Sequence, residues 1–322
     1  MAGSFQCAVL ESPGKFRIQR RNLPDPGPRQ IRVRLEGCGI CGSNLPVWQG
    51  RPWFDYPRAP GSPGHEAWGI VEAHGTEARR FRIGDRVTLL SENAFAEVDV
   101  ALEDHAVRLP AALDGMVFPG EAIGCAMNIF TRADIRPGQW VAIVGAGFLG
   151  AALTQLASRR GAKVIAISRR SHALDVARQM GAIHTLSMDE RWRAVEGVKE
   201  ITEGEFCPRV IEATGFQEPL DLASEICAEA GKLIIAGYHQ DGLRQVNMQL
   251  WNWRGIDVIN AHERSPARYI AGMEAAVKAV ASGEFSPEVL YTHRYTLAGV
   301  NDALAMLDRR EGDFMKAILH YE

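Results

Sequence analysis

No stretch of the chain stays apolar for the ~18 residues that a membrane-crossing helix needs. The N-terminus, Met1-Ala2-Gly3-Ser4-Phe5-Gln6, has neither the basic region nor the apolar region of a signal peptide. Cysteine is scarce. Six in 322 residues are too few for a disulfide scaffold, so the thiols are expected to be mostly reduced or bound to metal. Cationic residues hold no excess, because 36 Lys and Arg against 39 Asp and Glu leave a net charge of −3 and no broad basic surface for nucleic acid. Internal repeats and low-complexity tracts are missing as well. With 46% hydrophobic and 23% charged residues, the chain is long enough for two domains and has the composition of a soluble globular enzyme. The expectation is a cytoplasmic protein that acts on small molecules, with neither membrane nor nucleic acid as partner.

The apolar run Val141-Ala142-Ile143-Val144 breaks into Gly145-Ala146-Gly147-Phe148-Leu149-Gly150 and then into a helical pattern. That is a strand, a tight turn and a helix start. Gly145 permits the turn, Gly147 lets backbone approach a pyrophosphate, and Gly150 lets the helix of Leu149, Leu153 and Leu156 pack on a sheet. Gly161 ends the helix, and Lys163-Val164-Ile165-Ala166-Ile167 supplies the second strand of a βαβ unit. An enzyme selective for NAD would carry an acidic residue at the end of that strand. This chain has Ser168-Arg169-Arg170, whose hydroxyl and guanidinium groups suit the 2′-phosphate of NADP. The plainer alternative is an ordinary βαβ core with two solvated arginines. Further strands are expected at 183–186, 209–215 and 232–237, with Thr214, Gly215 and Gly237 at strand ends where a dinucleotide lies.

Residues 1 to about 110 read as short alternating β runs between Gly and Pro turns. Among them lie Gly39-Ile40-Cys41-Gly42-Ser43 and Gly64-His65-Glu66, and thiolate and imidazole are ligands that zinc prefers. Cys38 and Cys41 also form a C-x-x-C, for which a redox pair is the less favoured reading. These segments, with Gly84-Asp85-Arg86-Val87 and Val144-Gly145-Ala146-Gly147-Phe148-Leu149-Gly150 in that order, resemble the zinc-dependent medium-chain dehydrogenase/reductase family. Alcohol, sorbitol and threonine dehydrogenases belong to it, and the resemblance covers essentially the whole chain.

The resemblance implies an α/β protein with a GroES-like β domain at 1–122 and 264–322 and a Rossmann domain, a doubly wound parallel sheet, at 123–263. It implies one catalytic zinc on Cys41 and His65, with Glu66 as a direct or intermittent ligand and Glu121 as the third; Cys125, one helical turn on, competes with Glu121. Ser43 would bond the substrate oxygen and pass its proton outward. Lys316, in the closing strand, would lie near the coenzyme pyrophosphate. The activity implied is hydride transfer between NADP(H) and an alcohol or ketone, with polyols, cyclitols or sugar-derived alcohols suggested by Asn44, Asn93 and Asn128 among aromatics. A homodimer, or a dimer of dimers, would form through the sheet edge near residues 255–264.

Several residues depart from the family. The four-cysteine lobe of a structural zinc is absent after Val87, Asn44 stands where an aspartate usually follows the serine, and Pro46 occupies the usual place of a relay histidine. Two rivals remain. A metal-free quinone or enone reductase would lack Cys41 and Gly-His-Glu, and a catalytically silent NADP-binding regulatory protein is kept in view by Asn44 and Pro46. The aromatic loop of Trp48, Trp53, Phe54 and Tyr56 reads equally as packing or as a substrate wall. His262-Glu263-Arg264 reads first as a hydrated turn.

Overall fold

A computed structural model describes residues 3–321 and divides them into two compact units. One unit holds the residues up to Cys125 together with Arg264 onward, and the other is Ala126–Glu263.

The first unit opens with the hairpin β1 (Ser4–Ser12) and β2 (Lys15–Asn22), followed by β3 (Gln30–Gly39) and the short helix α1 (Leu45–Gln49). Then come β4 (Glu66–His74), β5 (Arg86–Leu90), β6 (Val98–Leu102), β7 (Ala106–Arg108) and the first turns of α2 (Gly120–Ala133). The second unit alternates strand and helix through β8 (Trp140–Val144), α3 (Phe148–Arg159), β9 (Lys163–Ser168), α4 (Ser171–Gln179), β10 (His184–Ser187) and α5 (Arg191–Ile201). It continues with β11 (Cys207–Glu212), α6 (Gln217–Glu225), β12 (Cys227–Ile235), α7 (Met248–Arg254) and β13 (Asp257–Asn260). The chain returns to the first unit with α8 (Pro266–Ala281), β14 (His293–Thr296), α9 (Val300–Arg309) and β15 (Ala317–His320).

Alternation builds the sheet of the first unit. In β3, Ile31, Val33 and Leu35 are buried while Arg32 between them reaches out to an ion pair with Glu72 at 2.6 Å. The strand order is β14-β15-β3-β4-β5-β7, with β6 also paired to β3. β3 is therefore central. Its end at Gly39 pairs with Glu66 of β4 on one side and with Ile318 of β15 on the other.

The second unit is the doubly wound sheet β10-β9-β8-β11-β12-β13, and each of its strand pairings is parallel. Strand order reverses at β8, where a doubly wound fold places its ligand crevice. Its core strands are near-continuous apolar runs, as burial on both faces requires: Val141 to Val144 and Val164 to Ile167 are all at 0% exposure. Gly145 has φ of 102°, and a Cβ built on Gly150 would stand 1.8 Å from the Gly145 carbonyl oxygen. Only glycines let α3 begin that close to the turn. Leu153 and Leu156 bury as expected, while Leu149 stays half-buried.

Candidate functional site

The end of β3 and the start of β4 lie side by side, so Cys41, just past β3, meets His65 and Glu66 at the head of β4. The Cys41 sulfur, a His65 ring nitrogen and a Glu66 carboxylate oxygen fall within 4.8 Å of one another, the one such set among the described residues. Asn44 braces the turn. It is 1% exposed, accepts the Cys41 backbone N–H at 2.8 Å, and donates to the Pro63 carbonyl at 2.9 Å. His65 Nδ1 stands 2.9 Å from the same carbonyl, which takes an Nδ1–H and leaves Nε2 on the other side of the ring. A backbone carbonyl thus does the orienting expected of a side-chain carboxylate. Ser43 Oγ lies 3.4 Å from His65 Nε2.

Glu121 and Cys125 fall outside that set of three. Glu121 is buried in the first turn of α2, and the Cys125 thiol, one turn on, donates to Glu121 Oε1 at 3.2 Å. Burial raises the Glu121 carboxyl, partly offset by the facing His65. Burial and the Glu121 charge push the Cys125 thiol well up, so it is the poorer anionic donor of the two. Burial would lower the His65 imidazole, yet the hydrogen bond and charge of Cys41, with Glu121 and Glu66, outweigh it and raise the ring to about 10.

Lys316 is 3% exposed, lies between Phe314 and β15, and donates to Glu66 Oε1 at 2.9 Å and to the Ile40 carbonyl at 3.2 Å. Its Nζ is 2.6 Å from Glu66 Oε2, so the ammonium lies against both carboxylate oxygens. Gly39 makes the room, since a Cβ there would stand 1.8 Å from Glu66 Oε2. Burial works against the Lys316 charge, but Glu66 and Cys41 hold its proton above the ordinary lysine range.

In the second unit the other expected residues gather at the carboxyl edge of the sheet. Gly145 to Gly150 link β8 to α3, Phe148 and Leu149 open the helix, and no heavy atom lies within 4 Å of a Cβ built on Gly147. Ser168 ends β9 and is 7% exposed, with its hydroxyl 3.4 Å from the Arg170 N–H; Arg169 is exposed and Arg170 half-buried. Thr214 and Gly237 follow β11 and β12, where Glu212, a residue not singled out from sequence, bonds the backbone N–H of Thr214 at 2.6 Å. The signal for Glu212 was available, as it was for Lys316: one charge in an apolar strand.

Trp48, Phe54 and Tyr56 pack against the core of the first unit, and the Tyr56 hydroxyl bonds the Val47 carbonyl. Trp53 is 60% exposed. Packing accounts for the other three. Glu263 is no hydrated turn residue, being 8% exposed and 3.4 Å from Arg132.

The chain matches the family of zinc-binding dehydrogenases over residues 149–279 and the alcohol dehydrogenase GroES-like domain over residues 27–131. It is 25% identical to a sorbitol dehydrogenase of Halalkalibacterium halodurans across 95% of this chain and 96% of that one. An alcohol dehydrogenase of Rhizobium meliloti is 31% identical across 62% of this chain and 68% of the relative. Among solved structures, a protein of Sinorhizobium meliloti 1021 described as a zinc-binding dehydrogenase bound to NADP aligns with TM-score 0.87 at 22% identity, covering 99% of this chain and 100% of the other. A short chain alcohol dehydrogenase from Escherichia coli CFT073 complexed with NADH aligns with TM-score 0.86 at 20% identity, covering 99% of each. The last two likenesses are of fold.

Lys316→Met tests the buried ion pair, because it leaves the Glu66 carboxylate buried without its counter-charge. The loss should be about 3–5 kcal/mol of unfolding free energy, and adding Glu66→Gln should return part of it. Since folding raises the Lys316 proton affinity, the pair's contribution is complete below the ordinary value of 10.5 and disappears as pH climbs through the raised one. Urea unfolding at pH 7 decides, and a single variant as stable as the wild type contradicts the account.

Proposed function

The chain belongs to the zinc-type medium-chain dehydrogenase/reductase family, a family of oxidoreductases, and from that premise we propose that it transfers hydride between NADP(H) and an alcohol or ketone with one catalytic zinc. The observation that carries the reading is the set of sulfur, nitrogen and oxygen donors on Cys41, His65 and Glu66. Such a mixed set suits zinc, and the Glu66 carboxylate stands in it braced by Lys316. Cys41 and His65 would hold the metal, with Glu66 as a direct or intermittent ligand and the third place taken by Glu121 or by Cys125 one turn on.

When bound, the metal supplies Lewis acidity toward the substrate oxygen and the coenzyme supplies or accepts the hydride. The remaining work falls to side chains. Pro63 and Asn44 keep His65 turned toward Cys41, and Lys316 keeps Glu66 in place. Ser43 bonds the substrate hydroxyl and takes its proton outward, through water, since Pro46 cannot relay it. Gly145, Gly147 and the N-terminus of α3, with Phe148, Leu149 and Gly150, receive the pyrophosphate; the open space at Gly147 fits that approach. Ser168, Arg169 and Arg170 receive the 2′-phosphate, and Thr214 and Gly237 border the other nucleoside. Polyols or sugar-derived alcohols are the proposed substrate class, supported by the sorbitol dehydrogenase likeness. We also propose a homodimer through β13, the edge strand of the second sheet, where Val258 is 41% and nearby Trp253 84% exposed.

The first measurements are of metal content and turnover. Cys41→Ser should lose both zinc and turnover while still binding NADPH, because the thiolate and the glycine turn are in different units; full zinc occupancy by metal analysis would sink the metal reading. Ser43→Ala should keep its zinc and slow turnover by roughly 10²- to 10⁴-fold, and Glu121→Ala beside Cys125→Ala separates those two candidates for the third ligand.

The second measurement is coenzyme preference. A charge-assisted hydrogen bond is worth about 1.5–3 kcal/mol, and for an exposed arginine the lower figure applies, so Arg169→Ala should weaken NADPH by about tenfold and leave NADH unchanged. Adding Ser168→Asp should reverse the preference, as the carboxylate accepts from ribose hydroxyls and repels the phosphate. Equal affinity of the wild type for NADH and NADPH at low salt would refute the assignment. The third is assembly: Val258→Lys, placed on the exposed edge, should convert a dimer to a monomer in sedimentation, and a wild type that sediments as a monomer would overturn the proposal.

A further inference from the structure

The second unit contains a buried carboxylate for which the proposed chemistry has no use. Glu212 is at 0% exposure at the end of β11. Its Oε1 accepts the backbone N–H groups of Thr214 at 2.6 Å and Gly215 at 2.9 Å, and also the Thr214 hydroxyl. Its Oε2 accepts from His239 Nε2 at 2.9 Å. His239 Nδ1 in turn accepts from Arg244 Nε at 2.9 Å, so the ring donates on one side and accepts on the other. Arg244 completes the circuit by donating to the Gly215 carbonyl at 2.7 Å and pairing with Asp241.

The circuit joins two loops. Residues 213–216 follow β11 and residues 236–247 follow β12, and the Glu212 carbonyl also accepts the N–H groups of Ala236 and Gly237 at 2.8 Å each. A Cβ on Gly237 would stand 2.2 Å from the Gly215 nitrogen, which leaves the loops no independent movement at that contact. Tyr238 stacks on His262, with ring centroids 5.6 Å apart. A buried carboxylate is costly unless bonded, and here four donors converge on it, so the two loops are held as one body.

Their place in the sheet says what they hold. A dinucleotide whose pyrophosphate lies at the start of α3 has one nucleoside on the β9 side, by Ser168 and Arg169, and the other over β11 and β12. We propose that Glu212, His239 and Arg244 are positioning residues for the nicotinamide half of the coenzyme, fixing the paired loops beneath it. The inference rests on the reading that this unit binds a dinucleotide, but not on which of the two coenzymes is preferred.

The test compares whole coenzymes with an adenosine-side fragment, by calorimetric titration of the full chain. His239→Ala and Arg244→Lys should each weaken NADPH and NADH alike by about tenfold, the scale of one lost charge-assisted hydrogen bond, while affinity for 2′,5′-ADP stays within about twofold. Arg244→Lys keeps the charge near the protein surface and removes only the guanidinium fork, so it serves if His239→Ala fails to fold. Equal weakening of fragment and coenzyme would assign the circuit to general stability and overturn the proposal, as would unchanged affinity for all three. A wild type that binds none of them would instead overturn the dinucleotide reading, and this inference with it.

Discussion

An ammonium and a carboxylate in contact, Lys316 on Glu66, impose more on the first unit than any other pair in it. Burying either charge alone would cost several kcal/mol, so the two must arrive together. They lie 250 residues apart in the chain. Only β3 brings them together, because its last residues pair with β4 on one side and β15 on the other. A side chain at position 39 would enter the carboxylate, so the glycine there is a condition of the pair. The returning C-terminal segment is therefore an integral part of the unit that holds Cys41 and His65.

The second unit solves the same problem differently. Glu212 also ends an apolar strand at 0% exposure, but it is hydrogen-bonded by backbone N–H groups, a hydroxyl and a histidine. Both of its oxygens are engaged. Glu66 has both oxygens against the single ammonium of Lys316, beside a thiol and an imidazole. A fully bonded carboxylate holds structure. One met by a single cation, among ligand atoms of other kinds, is suited to a second electrophile.

The strands and the glycine turn were legible because their signals are local: period-two alternation in β3, unbroken apolar runs in β8 and β9, and spaced glycines before α3. Cys41 and His65 were legible through short motifs. Pairing was not, because register across 250 residues leaves no local trace, and the ion pair of Lys316 with Glu66 was consequently not read. The Pro63 carbonyl that orients His65 could not have been read at all, since every residue carries a carbonyl and only the fold selects one. Glu212 was overlooked although an isolated acid in Arg209-Val210-Ile211-Glu212-Ala213 is the same kind of sign as Lys316 in its apolar segment. A lone charge in a buried strand requires a partner, and the sequence alone does not say where that partner is.

The charge around the proposed centre gives Asn44 a reason. With metal bound, Cys41 is a thiolate. With Glu66 and Glu121 ionised it would make three negative charges against the one ammonium of Lys316, and a divalent cation cancels the remainder. An aspartate at position 44, at 1% exposure and 3.4 Å from His65 Nδ1, would add a further buried anion with no cation left to meet it. Asparagine supplies the acceptor that the Cys41 N–H needs and the donor that the Pro63 carbonyl takes, without charge. The chain that lacks the usual aspartate therefore keeps the turn, the histidine's orientation and the electrostatic balance together, and the substitution that most suggested a silent protein is compatible with a working metal centre.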